Sequence, residues 1–296
     1  MAIRDPRQLT PGQRWLNRWW PSTRLRRDPL ADVRVQDRYL PVSVANWKLT
    51  PWMARELLER RIERPLTFST TESLTIVIPY RDRVQHLQEL LPTLAGVLRA
   101  QRIHYRILVV EQEPGRLFNR GKLINVGMQH AAARSDYFCI HDVDALPLVA
   151  DYRCPSQPLR LVTRIHTADG RTQRMPHYFS GVIALRKEQA FAAGGFSNEY
   201  WGWGKEDDDF FFRLLLADYV CYYDSLGEFR DLPNPTHQQV SRTGPTTPLH
   251  VRENRRRRSL LLRGQMNPSE DGLSTLQYEI LAAHDEGAHE RILVRI

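Results

Sequence analysis

The apolar positions between residues 74 and 140 alternate between two kinds of spacing. Short runs of β-branched and aromatic residues predict three buried strands, over 74–79, 105–110 and 137–140. Between these runs, leucines recur at helical spacing over 83–100, where Pro92 would introduce a kink. Residues 122–133 predict a second helix.

Strands that alternate with helices in this way are typical of βαβ units, in which the strands run parallel. We therefore expect an α/β fold with a mainly parallel central sheet flanked by helices. Ligands of such sheets lie beyond the carboxyl ends of the strands. This rule brings residues 81–83, 111–112 and 142–144 to one edge of the sheet.

Four consecutive acids at 206–209 follow Trp201 and Trp203, and an apolar run follows the acids. A helix that begins near Glu206 would place these charges at its positive end, where they are stabilised. Successive helical residues point about 100° apart, so the four acids cannot all cap one helix. We expect at least one of them to face a cleft beside indoles that can stack on a sugar.

The composition is that of a folded protein with anionic partners. Of the 296 residues 42% are hydrophobic, and the formal net charge is +8, which suits nucleotides, nucleic acid or an acidic membrane surface. The three cysteines lack C-x-x-C spacing, and the N-terminus lacks the apolar region of a signal peptide. We expect a cytoplasmic protein of bacterial type, in peripheral contact with the anionic inner membrane face.

Composition along the chain predicts three parts. Residues 1–70 form a basic arm rich in Trp and Arg, which either wraps the main domain or rests on an anionic bilayer. Residues 71–255 contain the strand and helix alternation and form the main domain. Residues 256–296 form a C-terminal tail that we expect to be helical.

Candidate chemistry lies at the predicted ligand edge. Asp142 and Asp144 are alternate residues at the end of an apolar strand and can offer carboxylate oxygens to a hard divalent cation. Such an ion would neutralise a diphosphate leaving group. Arg81, Arg83 and Arg120 are candidates for phosphate or base recognition, because guanidinium groups bind in a fork-like manner.

Taken together, these segments resemble the β-1,4-galactosyltransferases, glycosyltransferase family seven. The matching segments are 79–83, 118–127, 141–144, 178–182, 195–204, 206–209 and a late histidine, His250. They occur in order over about residues 74–252. The resemblance implies a GT-A fold, UDP-galactose as donor, a glycan or glycolipid acceptor, Mn²⁺ as cofactor and inversion at the anomeric carbon.

The resemblance also assigns residues. The donor site would contain Pro79, Arg81, Arg83, Phe118, Arg120, Val143, Asp144, Tyr178 and Gly181. The acceptor would be held by Trp203, Glu206 and Asp208, Asp207 would be the catalytic base, and Asp144 and His250 would bind the metal. Tyr178 would restrict the space around C2 of the donor sugar.

Two positions depart from the family pattern. Thr247 stands where many animal members have a methionine ligand, so Mg²⁺ is an alternative to Mn²⁺. Lys205 stands at the second glycine of the family's Trp-Gly-Gly-Glu motif, which would alter the acceptor pocket.

Alternative functions stay open. UDP-GalNAc or UDP-glucose could replace UDP-galactose, and the four arginines 255–258 favour a non-catalytic basic protein that binds surfaces. Asp144 and Asp207 count against a polyanion binder, since carboxylates on a binding edge repel phosphates. We therefore expect no nucleic-acid partner.

Overall fold

The computed structural model describes residues 38–43, 64–175, 178–233 and 247–296. In this part of the chain, the α-helices are α1 (Val84–Ala100), α2 (Arg120–Ala131), α3 (Lys187–Ala192), α4 (Glu206–Leu216) and α5 (Leu249–Leu262). Short 3₁₀ helices cover Ala132–Arg134, Pro268–Glu270 and Leu273–Thr275. None of the described helices is long and apolar enough to cross a membrane.

The strands fall into three sheets. The strands of the first half are β1 (Tyr39–Pro41), β2 (Phe68–Ser69), β3 (Ser73–Tyr80), β4 (His104–Gln112), β5 (Tyr137–Ile140), β6 (Ala145–Val149), β7 (Cys154–Pro155) and β8 (Leu159–Arg160). Those of the second half are β9 (Arg164–His166), β10 (Thr172–Arg174), β11 (Ile183–Arg186), β12 (Tyr222–Asp224), β13 (Glu228–Asp231), β14 (Glu279–Asp285) and β15 (Glu290–Arg295).

The large sheet has the order β1-β12-β8-β11-β5-β3-β4-β15-β14. The pairs β12–β8, β5–β3, β3–β4 and β4–β15 are parallel, and the other four pairs are antiparallel. The α/β class is confirmed, but the sheet is mixed rather than mainly parallel. The three predicted strands form its parallel centre, and antiparallel pairs lie on both sides of them.

Smaller sheets accompany the large one. One has the order β10-β9-β13-β6, and the other pairs β2 with β7. In the first of these, β13 and β6 are antiparallel, and β6 begins directly after residues 142–144. This arrangement brings the end of β13 to the carboxyl end of β5.

The core lies on both faces of the large sheet, because successive residues of a strand point to opposite faces. Ile76 and Ile78 of β3 pack in one cluster with the leucines of α1, whereas Val77 packs in a second cluster with α2 and α4. Burial on both faces explains why the central strands are continuously apolar. Helix α1 runs through Pro92 without a break.

Helix α2 lies unusually close to the sheet. Its N-terminus is capped by Asn119, whose side chain accepts a hydrogen bond from the Lys122 amide. A Cβ at Gly127 would lie 2.4 Å from Cγ1 of Val77 and 3.0 Å from Cγ2 of Val110. The glycine therefore permits the close approach that fixes the start of α2 at the ligand edge.

The C-terminal part differs from the expected helical tail. The predicted boundary at 255 falls inside α5, and β14 and β15 then complete one side of the large sheet. Strand β15 pairs in parallel with β4, which is some 180 residues earlier in the chain. Because the partner of these strands is so distant, local periodicity gave no sign of them.

The N-terminal arm is described only in part. Strand β1 pairs with β12 at one edge of the large sheet, and β2 pairs with β7. The remainder of residues 1–70, with Trp15, Trp19 and Trp20, lies outside the described residues. The wrapping or membrane role of the arm therefore stays a prediction.

Candidate active site

A cavity opens at the carboxyl end of β5, where the sequence predicts the ligand edge. Its lining combines that strand end with the neighbouring segments: Asp142, Asp144, Ala145, Val162, Ile165, Gly181, Phe229, Arg230 and Asp231. Three carboxylates thus face one cavity. Gly181 has φ +78, and a Cβ there would lie 2.9 Å from Cγ1 of Val162, so a glycine is required at this turn.

Arg120, the first residue of α2, connects the parts of the predicted site. Its Nε donates to Oδ1 of Asp142 at 2.8 Å, its Nη1 to Oδ1 of Asp207 at 2.8 Å, and its Nη2 to the Gly181 carbonyl at 3.2 Å. Burial alone would lower the pKa of Arg120, but the charges of Asp142 and Asp207 outweigh burial and raise the pKa. The guanidinium is therefore a permanent cation between the cavity and the helix α4.

Asp207 has the properties of a general base. Burial raises its pKa to about 8, Arg120 opposes the rise, and Glu206 and Asp142 add to it. Only Oδ1 bonds to Arg120, and within the described part of the chain Oδ2 has no hydrogen-bond partner. A carboxyl with a pKa near neutrality and one open oxygen can accept a proton from a hydroxyl group.

The four acids of α4 point in different directions, as predicted. Glu206 lies 3.9 Å from Nη1 of Arg120, the same guanidinium that binds Asp207. Asp209 turns into the core, where it pairs with Arg213 and accepts from the Tyr200 hydroxyl. None of the four caps the helix, since the N-cap position is occupied by Lys205.

Asp208 is held by two cations. Nζ of Lys205 donates to its Oδ2 at 2.9 Å, and Nε of Arg258 lies 2.8 Å from the same oxygen. Lys205 has φ +83, a left-handed conformation that usually requires glycine. The departure from the family motif thus keeps the backbone shape of a glycine and adds a cation beside Asp208.

Helix α5 supports the loop that carries the tryptophans. The Asn254 side chain donates to the carbonyls of Trp201 at 3.1 Å and Trp203 at 3.3 Å. Trp203 is 37% exposed, so part of its ring is available to a ligand. His250, Asn254 and Arg258 are spaced by four residues, which places them on one face of the helix.

His250 does not join the predicted metal site. Its ring packs on Gly202, where an added Cβ would lie 2.5 Å from Cδ2 of His250, and it does not line the cavity with Asp144. Within the described residues, no three His, Cys, Asp or Glu side chains form a group that could hold a metal ion. The described structure thus places His250 outside the residues that line the cavity with Asp144, and its role as a metal ligand, with the bearing of Thr247 on that metal, stays a prediction.

Asp231 is the residue that the sequence interpretation missed. It is the last residue of β13 and pairs with Ala145, and the Leu232 amide donates to the Asp144 carbonyl at 2.8 Å. Burial raises the pKa of Asp231 to about 6, and the negative charges of Asp144 and Asp142 contribute. The pattern that identified Asp142 and Asp144, an acid at the end of a short strand, could also have identified Asp231.

The other predicted donor residues lie around the carboxyl ends of β3 and β4. Pro79 is the penultimate residue of β3, and the guanidinium of Arg81 lies 5.3 Å from the Phe118 ring centre. Arg83 precedes α1, and Val143 is buried between Asp142 and Asp144. Tyr178 is 53% exposed and lies three residues before Gly181. All these residues therefore sit on segments that lead to one end of the sheet.

Two family profiles match this chain. The N-terminal region of glycosyl transferase group 7 matches residues 48–155, and a profile described as the N-terminal domain of galactosyltransferase matches residues 162–231. Together they cover more than half of the 296 residues. The chain belongs to glycosyltransferase family seven.

Curated members of family seven are similar to this chain in sequence. β-1,4-Galactosyltransferase 3 of Cricetulus griseus is 35% identical over 255 residues, which cover 82% of this chain and 61% of the relative. Human β-1,4-galactosyltransferase 4 is 41% identical over 157 residues, which cover 52% of this chain and 45% of the relative. The chain thus spans at most about three fifths of the length of these relatives. Both are animal proteins, and they give no support to a bacterial source.

Solved structures agree with the fold. The catalytic domain of Drosophila β-1,4-galactosyltransferase 7, in complex with xylobiose, has a TM-score of 0.63 and 27% identity. The match covers 76% of this chain and 94% of that domain. A mutant of the same Drosophila enzyme, in complex with manganese, UDP-Gal and xylobiose, has a TM-score of 0.62 and 26% identity. The GT-A fold expected from the sequence is confirmed.

Proposed function

We propose that this protein transfers galactose from UDP-galactose to a hydroxyl group of a glycan or glycolipid, with inversion to a β linkage and with a divalent cation as cofactor. The observation that carries the proposal is the connection made by Arg120. One buried guanidinium joins Asp142 at the cavity to Asp207 at the start of α4. The proposed nucleotide-sugar site and the proposed proton acceptor would thereby be held side by side.

Asp207 would act as the base. Oδ2 of its carboxylate accepts the acceptor proton while the acceptor oxygen attacks C1 of galactose from the face opposite UDP. Arg120 holds Oδ1 at 2.8 Å and so keeps the open oxygen in one orientation. Attack from the opposite face converts the α-linked donor into a β-linked product.

The cavity carboxylates suit a hard divalent cation. Asp144 and Asp231 would supply oxygen ligands, the kind that Mn²⁺ and Mg²⁺ prefer. Burial is the main cause of the raised pKa of Asp231, and the negative charges of Asp144 and Asp142 add to it; a bound cation would relieve this repulsion. The donor diphosphate and solvent would supply the remaining ligands, and the bound ion would neutralise charge on the departing UDP.

The other groups would hold the two substrates. Arg81 and Phe118, which stack on each other, would contact the nucleotide together with Pro79, Arg83 and Val143. Tyr178 would limit the space beside C2 of the sugar and so favour galactose over GalNAc. Trp203 would stack on the acceptor sugar, and Glu206 and Asp208 would accept hydrogen bonds from its hydroxyl groups.

A substrate screen tests the proposal. Purified protein is incubated with Mn²⁺, with UDP-galactose, UDP-GalNAc or UDP-glucose, and with glycosides of GlcNAc, glucose or xylose, and products are identified by mass spectrometry. Xylosides are included because xylobiose is present in the related Drosophila structures. We expect a galactosylated product with a β linkage, which NMR would establish. Transfer of a different sugar, or an α linkage, would contradict the proposal.

The base assignment has its own test. Asp207→Asn should lower kcat by about 10² to 10⁴, the usual contribution of a positioned base, while UDP still binds in calorimetry. Asp209→Asn is the matched control, because it alters the next acid of α4, which faces Arg213 in the core. That variant should lose thermal stability, yet its folded fraction should keep the chemical rate. Near wild-type turnover by Asp207→Asn would exclude Asp207 as the base.

A further inference from the structure

Arg160 is a fully buried arginine of the large sheet. It belongs to β8, between Ile183 of β11 and Tyr223 of β12. Its Nη1 donates to two carbonyls, those of Met175 and Tyr178, and the latter lies at 2.6 Å. Within the described residues, its Nε and Nη2 have no hydrogen-bond partner.

Two other arginines near the site, the buried Arg213 and the partly buried Arg120, are neutralised. Arg213 pairs with Asp209 and Asp271, and Arg120 pairs with Asp142 and Asp207. No carboxylate of the described chain lies within 4.0 Å of Arg160. A buried charge without a carboxylate partner costs free energy, so Arg160 is not explained by a contribution to stability.

What Arg160 does hold is the segment that leads to the cavity. The Met175 amide donates to the Thr163 carbonyl at 3.0 Å, directly beyond β8. The Tyr178 carbonyl is fixed by Arg160, and the Gly181 carbonyl, three residues later, is fixed by Arg120. The turn from Tyr178 to Gly181 is thus held at its two ends by two guanidinium groups.

We propose that Arg160 is a positioning residue for donor selection, because it fixes the backbone of Tyr178 and so the place of the tyrosine ring beside the donor sugar. This inference rests on the proposed function, in which Tyr178 borders C2 of that sugar. The side chain of Tyr178 is 53% exposed, so neighbouring side chains cover only half of it. Its backbone anchor therefore matters more than it would for a buried ring.

The test compares Arg160→Met, Arg160→Gln and Arg160→Lys in the full chain. The measurements are Tm and kcat/KM with UDP-galactose and with UDP-GalNAc at saturating acceptor. We expect the Met variant to keep or raise the wild-type Tm. The ratio of kcat/KM with UDP-galactose to kcat/KM with UDP-GalNAc should fall about tenfold or more, which is within the range that one substituent contributes in a pocket. The Lys variant should restore most of the ratio, because an ammonium can donate to both carbonyls.

Arg213→Lys is the matched control, since Arg213 is equally buried but bound to carboxylates remote from Tyr178. Its Tm should fall while its donor ratio stays at the wild-type value. An unchanged ratio in Arg160→Met and Arg160→Gln, with galactose transfer intact, would overturn the positioning role alone. If the Met variant does not fold, an unchanged donor ratio in the Gln variant decides against the positioning role of Arg160. A wild-type protein that transfers no galactose would overturn both this inference and the proposed function.

Discussion

At the residue scale, the site depends on how one buried cation divides its hydrogen bonds. Arg120 occupies one oxygen of Asp142 and one of Asp207 and leaves Oδ2 of Asp207 open. The sequence predicted Arg120 and Asp207 as site members, because each stands in a motif at the start of a helix. It could not predict the ion pair between Arg120 and Asp207, since 87 positions separate these two residues.

The pH dependence of the reaction follows from Asp207. A base must be unprotonated to accept a proton, and burial raises the pKa of Asp207 to about 8. We therefore expect kcat/KM to fall about tenfold for each pH unit below about 8 and to level off above it. A profile measured with a non-titrating acceptor glycoside checks this, and a plateau that already extends down to pH 6 would contradict it.

At the element scale, local sequence pattern predicted the regular elements of the parallel centre and the helix that begins at Glu206, and little else. Strands β3 to β5 and helices α1 and α2 carry enough apolar positions to be recognised without their neighbours. Strand β8 has two residues and β14 and β15 are partly polar, so only long-range pairing makes them strands. Arg160 on β8 and Asp231 on β13, a strand of four residues, were missed for this reason.

The glycines of α1 and α2 provide a matched pair for testing packing. Gly127→Ala would place a methyl group 2.4 Å from Val77, and such overpacking costs about 1 to 3 kcal/mol. At Gly96 of α1 the added Cβ would meet no atom within 4 Å apart from its chain neighbours and the nearby helix backbone, so alanine there should stabilise the helix by up to about 1 kcal/mol. Urea unfolding of both variants checks the signs. Equal effects of the two substitutions would contradict the close approach of α2 to the sheet.

The arginines of α5 differ by helix face. Arg258 lies 2.8 Å from Asp208, whereas Arg256 is exposed and pairs with Glu253. Arg258→Gln should raise the acceptor KM on the order of tenfold, equivalent to about 1.4 kcal/mol, because Asp208 loses one of its two cations. The donor KM should stay constant.

Arg256→Gln is the control for this helix and should change neither KM. Equal acceptor KM values in the two variants would show that α5 does not orient Asp208. The run 255–258 is in any case not a uniform basic face, since Nε of Arg257 is also buried. Its contact with an anionic membrane, and with it the cellular location, stays a prediction.

At the scale of the whole molecule, the cavity is where two sheets meet. Asp142 and Asp144 follow β5 of the large sheet, and Asp231 ends β13 of the four-stranded sheet. The backbone bond from Leu232 to Asp144, at 2.8 Å, joins the two. The rule that ligands lie beyond strand ends predicted the edge of the large sheet at which the cavity opens, whereas His250, the second metal ligand that the family resemblance implies, lies outside the residues that line this cavity.

The metal assignment can be tested without measuring transfer. Above the raised pKa of about 6, Asp231 is a carboxylate beside two others, so Asp231→Asn should remove repulsion and raise Tm at pH 8 in the absence of metal. With Mn²⁺ and UDP present, wild type should gain Tm in proportion to ligand binding, and the variant should gain less because it has lost a ligand oxygen. Paramagnetic resonance of free Mn²⁺ gives the affinity directly.

His250→Asn serves as the comparison, since His250 packs on Gly202, and it should leave Mn²⁺ affinity unchanged. A loss of affinity in His250→Asn with none in Asp231→Asn would reverse the assignment.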